Sequence, residues 1–239
     1  MQIKHAVALV TGANRGIGKA LVNALMDAGA GKIYASARDV TTLKFVSGNT
    51  EIVPLPLDIC DHARISSIAE EISDVNLLFN NAGILDAGNI LDVPLEHIRR
   101  NFETNFYGTL AVCKRLAPLI EANGGGAIVN TLTLLSLASM PGFAAYNASK
   151  AAAWSMTLSL RASLSGRNID VHNVFPGAVD TDMLDGVEIP KTKPAEVAQA
   201  IIAGVNAGQE DIFPDPMSVE VYGAWCENHK AVERQFAQM

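Results

Sequence analysis

Val7-Ala8-Leu9-Val10, followed by Thr11-Gly12-Ala13-Asn14-Arg15-Gly16-Ile17-Gly18, is the stretch on which the fold turns. The first four residues are apolar and read as a short strand. The next eight hold three glycines, and a helical pattern then runs through Ala28. Glycines let the backbone turn sharply and approach a pyrophosphate, and the free N–H groups of a helix N-terminus favour its negative charge. The spacing is GxxxGxG, which differs from the GxGxxG of the common dinucleotide fingerprint. Gly12, Asn14, Arg15, Gly16, Ile17 and Gly18 are candidate cofactor contacts.

Outward from the turn, strand and helix patterns alternate. Residues 32–36 read as a second strand ending at Ala37-Arg38-Asp39. In NAD-binding folds an acid about 20 residues beyond the glycines takes the ribose 2′-hydroxyl, whereas an arginine nearby suits the 2′-phosphate of NADP. Ala37 stands where the acid is expected and Arg38 follows it, so NADP is the expected cofactor, with Arg15 as a second positive contact. Asp39 keeps NAD open as an alternative. Further strands are expected over residues 52–57, 77–79, 127–131, 170–175 and 211–213, the third ending at Asp58-Ile59 and the fourth at Asn80-Asn81-Ala82-Gly83. Helices are expected over 63–72, from Pro94 to about 122 with a kink or break at Pro118, and from about 192 to 205. The tail, 218–239, reads as a helix with an apolar stripe of Val219, Tyr222, Trp225, Val232 and Phe236. Asn105, in the middle of the long helix, needs a hydrogen-bonding reason or else faces solvent. The alternation predicts an α/β chain forming a single domain over residues 1–239.

Composition agrees and narrows the function. The chain is 49% hydrophobic and 18% charged, as suits a parallel sheet buried on both faces. Lys and Arg total 18 against 25 Asp and Glu, a net charge of −7 with no basic block, which argues against a nucleic-acid partner. Cys60, Cys113 and Cys226 form no CxxC pair, and the histidines show no ligand spacing, so reduced thiols and no metal site are expected. The apolar run after His5 is too short for a signal peptide or a membrane span, which points to the cytoplasm.

Tyr146-Asn147-Ala148-Ser149-Lys150 carries the chemistry. At the start of a helix, positions i and i+4 share a face, so the phenol and the ammonium point into the same space. A cation beside a phenol favours the phenolate and brings its pKa nearer the working range of a proton shuttle. From Tyr146 to about 164 the helix is small or apolar around nearly its whole circumference. Such a helix is expected to be buried all round, in part by a second subunit of a homodimer or homotetramer.

Together, Thr11-Gly-x-x-x-Gly16-x-Gly18, Asn80-Asn-Ala-Gly83, Asn105, Tyr146-x-x-x-Lys150 and Pro176-Gly177 resemble the short-chain dehydrogenase/reductase family over residues 6–183. The resemblance implies a doubly wound Rossmann-type fold with a mostly parallel seven-stranded sheet flanked by helices on both faces. It implies that Tyr146 is the general acid of carbonyl reduction, and that Lys150 holds the nicotinamide ribose and lowers the tyrosine pKa. Asn105 would anchor a water-linked proton path to the lysine. Asp58 and Ile59 are similar to the pair that contacts adenine, and Asn80, Ala82 and Gly83 to the ribose-side turn. Pro176, Gly177, Val179 and Thr181 are similar to the segment beside the carboxamide.

One position departs from the pattern. Thirteen residues before the tyrosine, where the family usually has serine, stands Thr133. Threonine keeps the hydroxyl donor and adds a methyl, so the contact to the substrate oxygen is expected to survive in a narrower pocket. Leu85, Leu135, Met140, Phe143 and Met183 flank the expected site, and Lys150 is the one Lys or Arg in those segments. An uncharged, apolar ketone, aldehyde or secondary alcohol is therefore the expected substrate. Other readings are a dinucleotide-binding regulatory protein with idle chemistry, which has no need of Tyr146, Lys150 and Asn105 together, and an epimerase or dehydratase on the same fold.

Overall fold

The structure, a computed structural model, describes residues 2–46 and 48–239; Met1, the first residue of the expected domain, lies outside them. Its strands are β1 (Val7–Val10), β2 (Lys32–Ala37), β3 (Glu51–Pro56), β4 (Leu77–Asn80), β5 (Gly126–Thr131), β6 (Ile169–Val174) and β7 (Asp211–Ile212). Its α-helices are α1 (Gly16–Asp27), α2 (His62–Glu71), α3 (Leu95–Phe102), α4 (Thr109–Ala122), α5 (Ala144–Leu164), α6 (Pro194–Asn206) and α7 (Pro216–Phe236). The strands form one seven-stranded sheet in the order β3-β2-β1-β4-β5-β6-β7, with every neighbouring pair parallel.

Successive residues of a strand point to opposite faces, so the apolar runs of the central strands feed two cores. Ala8, Val10, Leu77, Phe79, Ala127 and Val129 meet Leu21 and Leu25 of α1 and Val197, Ile201 and Val205 of α6. Leu9, Leu78 and Ile128 meet Ile65 and Ile68 of α2 and Val112, Leu116 and Ile120 of α4 on the other side. Each of the valine, leucine, isoleucine and phenylalanine side chains, fully buried, contributes roughly 1.5–3 kcal/mol. Strand order reverses between β1 and β4, and open α/β sheets bind ligands in the crevice at the carboxyl ends of such a pair. The glycine turn after β1 and the Asn81–Gly83 segment after β4 stand there.

Several expectations need correction. The long helix is not interrupted at Pro118, which lies inside α4; it changes instead at Glu103–Gly108, a π-helical turn between α3 and α4. Pro118 leaves unpaired only the carbonyl one turn back, on Lys114, and both residues are exposed, so water can satisfy it. Helix α5 begins at Ala144, before Tyr146; within the single chain Ala148, Ser155, Leu158, Ser159 and Ala162 are exposed along one side, the side left for the expected second subunit. In α7, Val219 is exposed, and Val221 packs inward with Trp225, Val232 and Phe236. The other strand and helix ends differ from expectation by a few residues. Among the described residues no helix is long and apolar enough to cross a membrane.

Candidate active site

The crevice is built on the glycine turn. Gly12 and Gly16 have φ of 67° and 52°, the left-handed region that glycine adopts without a Cβ penalty. A Cβ on Gly18 would lie 2.1 Å from the Gly12 carbonyl oxygen and 2.5 Å from Asn81 Nδ2, so only glycine lets α1 pack this closely. Arg15 stands at the N-cap of α1 and gives its first turn no side-chain hydrogen bond, which leaves those N–H groups for an anionic ligand. Asn14 and Ile17 are half-buried in the same turn.

Thr11 and Asn81 hold this turn to the end of β4. Thr11 Oγ1 accepts from the backbone N–H of Asn81 and Ala82, both at 3.0 Å, and Asn81 Nδ2 donates to the carbonyls of Thr11 and Gly12 at 3.1 and 3.3 Å. Neither was among the candidate site residues, although both stand inside motifs the sequence displays. The Asn80 side chain turns into the core, where its Nδ2 donates to Asn130 Oδ1 at 2.8 Å and to Cys113 Sγ at 3.1 Å. Ile59 and Val179 likewise place their side chains in the two cores, so any ligand would meet their backbone. Exposed Asp58 accepts the Cys60 N–H.

At the end of β2, Arg38 is exposed. Asp39 caps the short 3-10 turn Val40–Thr42, accepting from Thr41 N at 2.9 Å and Thr41 Oγ1 at 2.7 Å. Arg15 reaches across the crevice to Asp182, 3.0 Å away, and a Cβ on Gly16 would meet the Thr181 side chain at 3.1 Å. The segment after β6 therefore rests on the glycine turn.

Thr133, Tyr146, Lys150 and Asn105 come together beyond the end of β5, all buried. Burial pushes the Tyr146 phenol up to about 12, and a hydrogen bond from the Thr133 hydroxyl partly offsets it. Burial also pushes the Lys150 ammonium down to about 8. Lys150 Nζ donates to the Thr131 carbonyl at 2.7 Å and lies 5.9 Å from the centre of the Tyr146 ring. Desolvation is the largest influence on the phenol. Lys150 shares the face of α5 without resting on the phenol oxygen.

Asn105 sits in the π-helical turn and is almost fully buried. Its Oδ1 accepts the Ile84 N–H and its Nδ2 donates to the Ile84 carbonyl, both at 2.9 Å, and Nδ2 also donates to Ser149 Oγ at 3.0 Å. A Cβ on Gly83 would lie 3.1 Å from Asn105 Oδ1 and 3.5 Å from Lys150 Nζ, so the three residues converge on one point. Leu85, Leu135, Met140 and Phe143 are half-buried around the site and Met183 is exposed at its rim. The Pro176-Gly177 turn is tied to Asp215, a buried carboxylate missing from the candidate residues. Its signal was present: Asp215, then proline, then Ser218 three residues on, is a helix-start pattern.

The positive-φ glycines, the uncapped helix start and the exposed arginines fit a dinucleotide phosphate in the crevice. Comparison with known proteins agrees. A family profile described as short chain dehydrogenase matches residues 6–191. The 1-deoxy-11-beta-hydroxypentalenate dehydrogenase of Streptomyces exfoliatus is 32% identical over 202 residues, 80% of this chain and 74% of that protein. The 3alpha-hydroxysteroid dehydrogenase of Mediterraneibacter gnavus is 30% identical over 219 residues, 87% and 85% of the two chains. The crystal structure of a short chain dehydrogenase from Burkholderia cenocepacia J2315 in complex with NADP matches with a TM-score of 0.93 at 34% identity, over 99% of each chain. With the profile covering most of its length and the sheet shared throughout, this chain belongs to the short-chain dehydrogenase/reductase family of NAD(P)-dependent oxidoreductases.

Proposed function

We propose that the protein is an NADP(H)-preferring oxidoreductase acting between a ketone or aldehyde and the corresponding alcohol on an apolar frame, with Tyr146 moving the proton. The observation that carries this reading is the burial of Tyr146, Lys150 and Thr133 together, with Lys150 Nζ 5.9 Å from the centre of the Tyr146 ring. The nicotinamide, when bound, supplies or accepts the hydride. In reduction, Thr133 donates a hydrogen bond to the carbonyl oxygen and Tyr146 gives that oxygen its proton as the C=O pair moves onto it. A neutral phenol at the working pH suits this step, since burial holds the proton on the tyrosine until the oxygen becomes basic. Lys150, anchored on the Thr131 carbonyl, sets positive charge near the phenolate left behind. In oxidation the same groups act in reverse.

NADP preference is supported by exposed Arg38 and Arg15 at the two ends of the crevice, while one oxygen of Asp39, Oδ1, is engaged by Thr41. The apolar lining of Leu85, Leu135, Met140, Phe143 and Met183 supports an uncharged substrate. Two relatives are named for a hydroxypentalenate and a hydroxysteroid, both alcohols. The exposed stripe of small residues on α5 supports a homodimer or homotetramer. The single continuous sheet supports one domain, and the free cysteines support a reducing compartment such as the cytoplasm. An absorbance assay of NADPH and NADH consumption across a panel of apolar ketones tests the reading. Faster turnover with NADPH, with the preference reduced in Arg38→Ala, is expected; clear NADH preference would overturn the cofactor assignment.

A further inference from the structure

Thr133 lies between two hydrogen bonds that extend the β5–β6 ladder beyond the strands: Leu132 N–H to the Val174 carbonyl at 2.8 Å and Leu134 N–H to the Pro176 carbonyl at 3.0 Å. The second bond grips one end of the planar Pro176–Gly177 peptide unit. Its other end, the Gly177 N–H, donates to Asp215 Oδ2 at 2.9 Å. The other carboxylate oxygen, Oδ1, accepts the Ser218 N–H at 2.9 Å and caps α7. Asp215 is 4% exposed, and a Cβ on Gly177 would lie 2.8 Å from its Oδ1.

We propose that Asp215 is a positioning residue for Thr133, acting through the Pro176–Gly177 peptide. A run of hydrogen bonds leads from the carboxylate, through that peptide, to the Leu134 N–H on the peptide bond that follows Thr133. A charged acceptor at one end strengthens such a run. A helix cap needs one acceptor, and serine caps about as well as aspartate. Bridging Gly177 and Ser218 together needs two oxygens on one short side chain, which serine and asparagine lack. Helix α7 braces the same loop at its other end, where Val232 and Phe236 pack against Ala138 with Leu135 and Met140 alongside.

The inference rests on Thr133 as the donor to the substrate oxygen, and the test separates the two. Asp215→Ser keeps the cap and loses the bridge, and Ser218→Ala weakens the capping box and keeps the bridge. Melting temperature and kcat with NADPH and a ketone are measured for both, for Thr133→Val, and for Thr133→Val combined with Asp215→Ser. The expected result is a fall of about tenfold in kcat for Asp215→Ser, on the scale of a small misplacement of a catalytic group. Ser218→Ala should stay within about twofold, and the double variant should be no slower than Thr133→Val. Asp215→Ser at near wild-type kcat, an equal loss in Ser218→Ala, or losses that multiply in the double variant would each overturn it. Unchanged kcat in Thr133→Val would remove the donor role itself. If Asp215→Ser does not fold, the near-isosteric Asp215→Asn carries the test: about threefold slower supports the proposal and an unchanged kcat refutes it.

Discussion

At the scale of single residues, Thr133 is both the departure from the family pattern and the partner of Tyr146. Its register was legible because Tyr146 fixes a count of thirteen residues. Thr133→Ser should keep kcat within about threefold, whereas Thr133→Val should lower it roughly a hundredfold, the scale of losing one donor to a developing oxyanion. Steady-state turnover checks this, and equal rates in all three proteins would show that Thr133 is not the donor. The protonation states were not legible, because they depend on burial that no spacing reveals. Folded Lys150 loses its proton near pH 8, while the unfolded lysine holds its own to its ordinary value of 10.5. Between those values the unfolded chain binds more protons, so this group makes stability rise with pH. Tyr146, raised from 10.0 to about 12, acts in the opposite sense above pH 10. Melting temperatures from pH 7.5 to 10 should therefore show an upward contribution in the wild type that Lys150→Met lacks; identical pH trends would contradict the burial of a charged lysine.

At the scale of elements, strands were easy to place and irregular helix was not. Valine and leucine runs such as 7–10 and 77–79 have few alternatives between glycine and asparagine turns. The π-helical turn at Glu103–Gly108 left no such mark, since the apolar pattern continues across it; only the unfavourable mid-helix Asn105 hinted at a special backbone. Its pairing with both polar atoms of the Ile84 backbone means that Asn105→Ala strands that N–H and carbonyl, at a cost of about 1–3 kcal/mol each if they stay buried. Denaturant unfolding should show this loss together with a fall in kcat, and an unchanged midpoint would argue against the pairing. In α7 the three-residue spacing chose Val219 where the structure chooses Val221, because the helix is steered by its Asp215 cap and breaks at Asn228. On β6, His172 has Nδ1 2.5 Å from the Gln209 carbonyl, and burial holds its pKa below 6.5, outweighing that carbonyl and nearby Asp170. The unfolded histidine takes up a proton first as pH falls below 6.5, so stability is lost in that direction. His172→Asn should flatten the drop in melting temperature between pH 7 and 5.5, and an equal drop in both proteins would contradict it.

At the scale of the molecule, the α/β alternation and the glycine turn were legible in the sequence and the doubly wound seven-stranded sheet was implied by the family resemblance, while the order of the strands was not, because no residue pattern says which strand pairs with which. The exposed side of α5 carries the small residues Ala148, Ser155, Ser159 and Ala162 together with Leu158, and small residues let a second helix approach closely. Ser155→Arg should give monomer-sized particles by light scattering where the wild type gives dimers or tetramers; a monomeric wild type would refute the assembly. The sheet brings Thr133, Tyr146 and Lys150 together from the segment after β5 and from α5, and the claim that they perform proton transfer is tested most directly with Tyr146→Phe. NADPH binding is measured by fluorescence titration, and NADPH oxidation by absorbance with an apolar ketone that the wild type reduces. The account predicts unchanged NADPH affinity and a loss of at least about a hundredfold in kcat, the range of a general acid. Turnover by Tyr146→Phe within a few-fold of the wild type would contradict it.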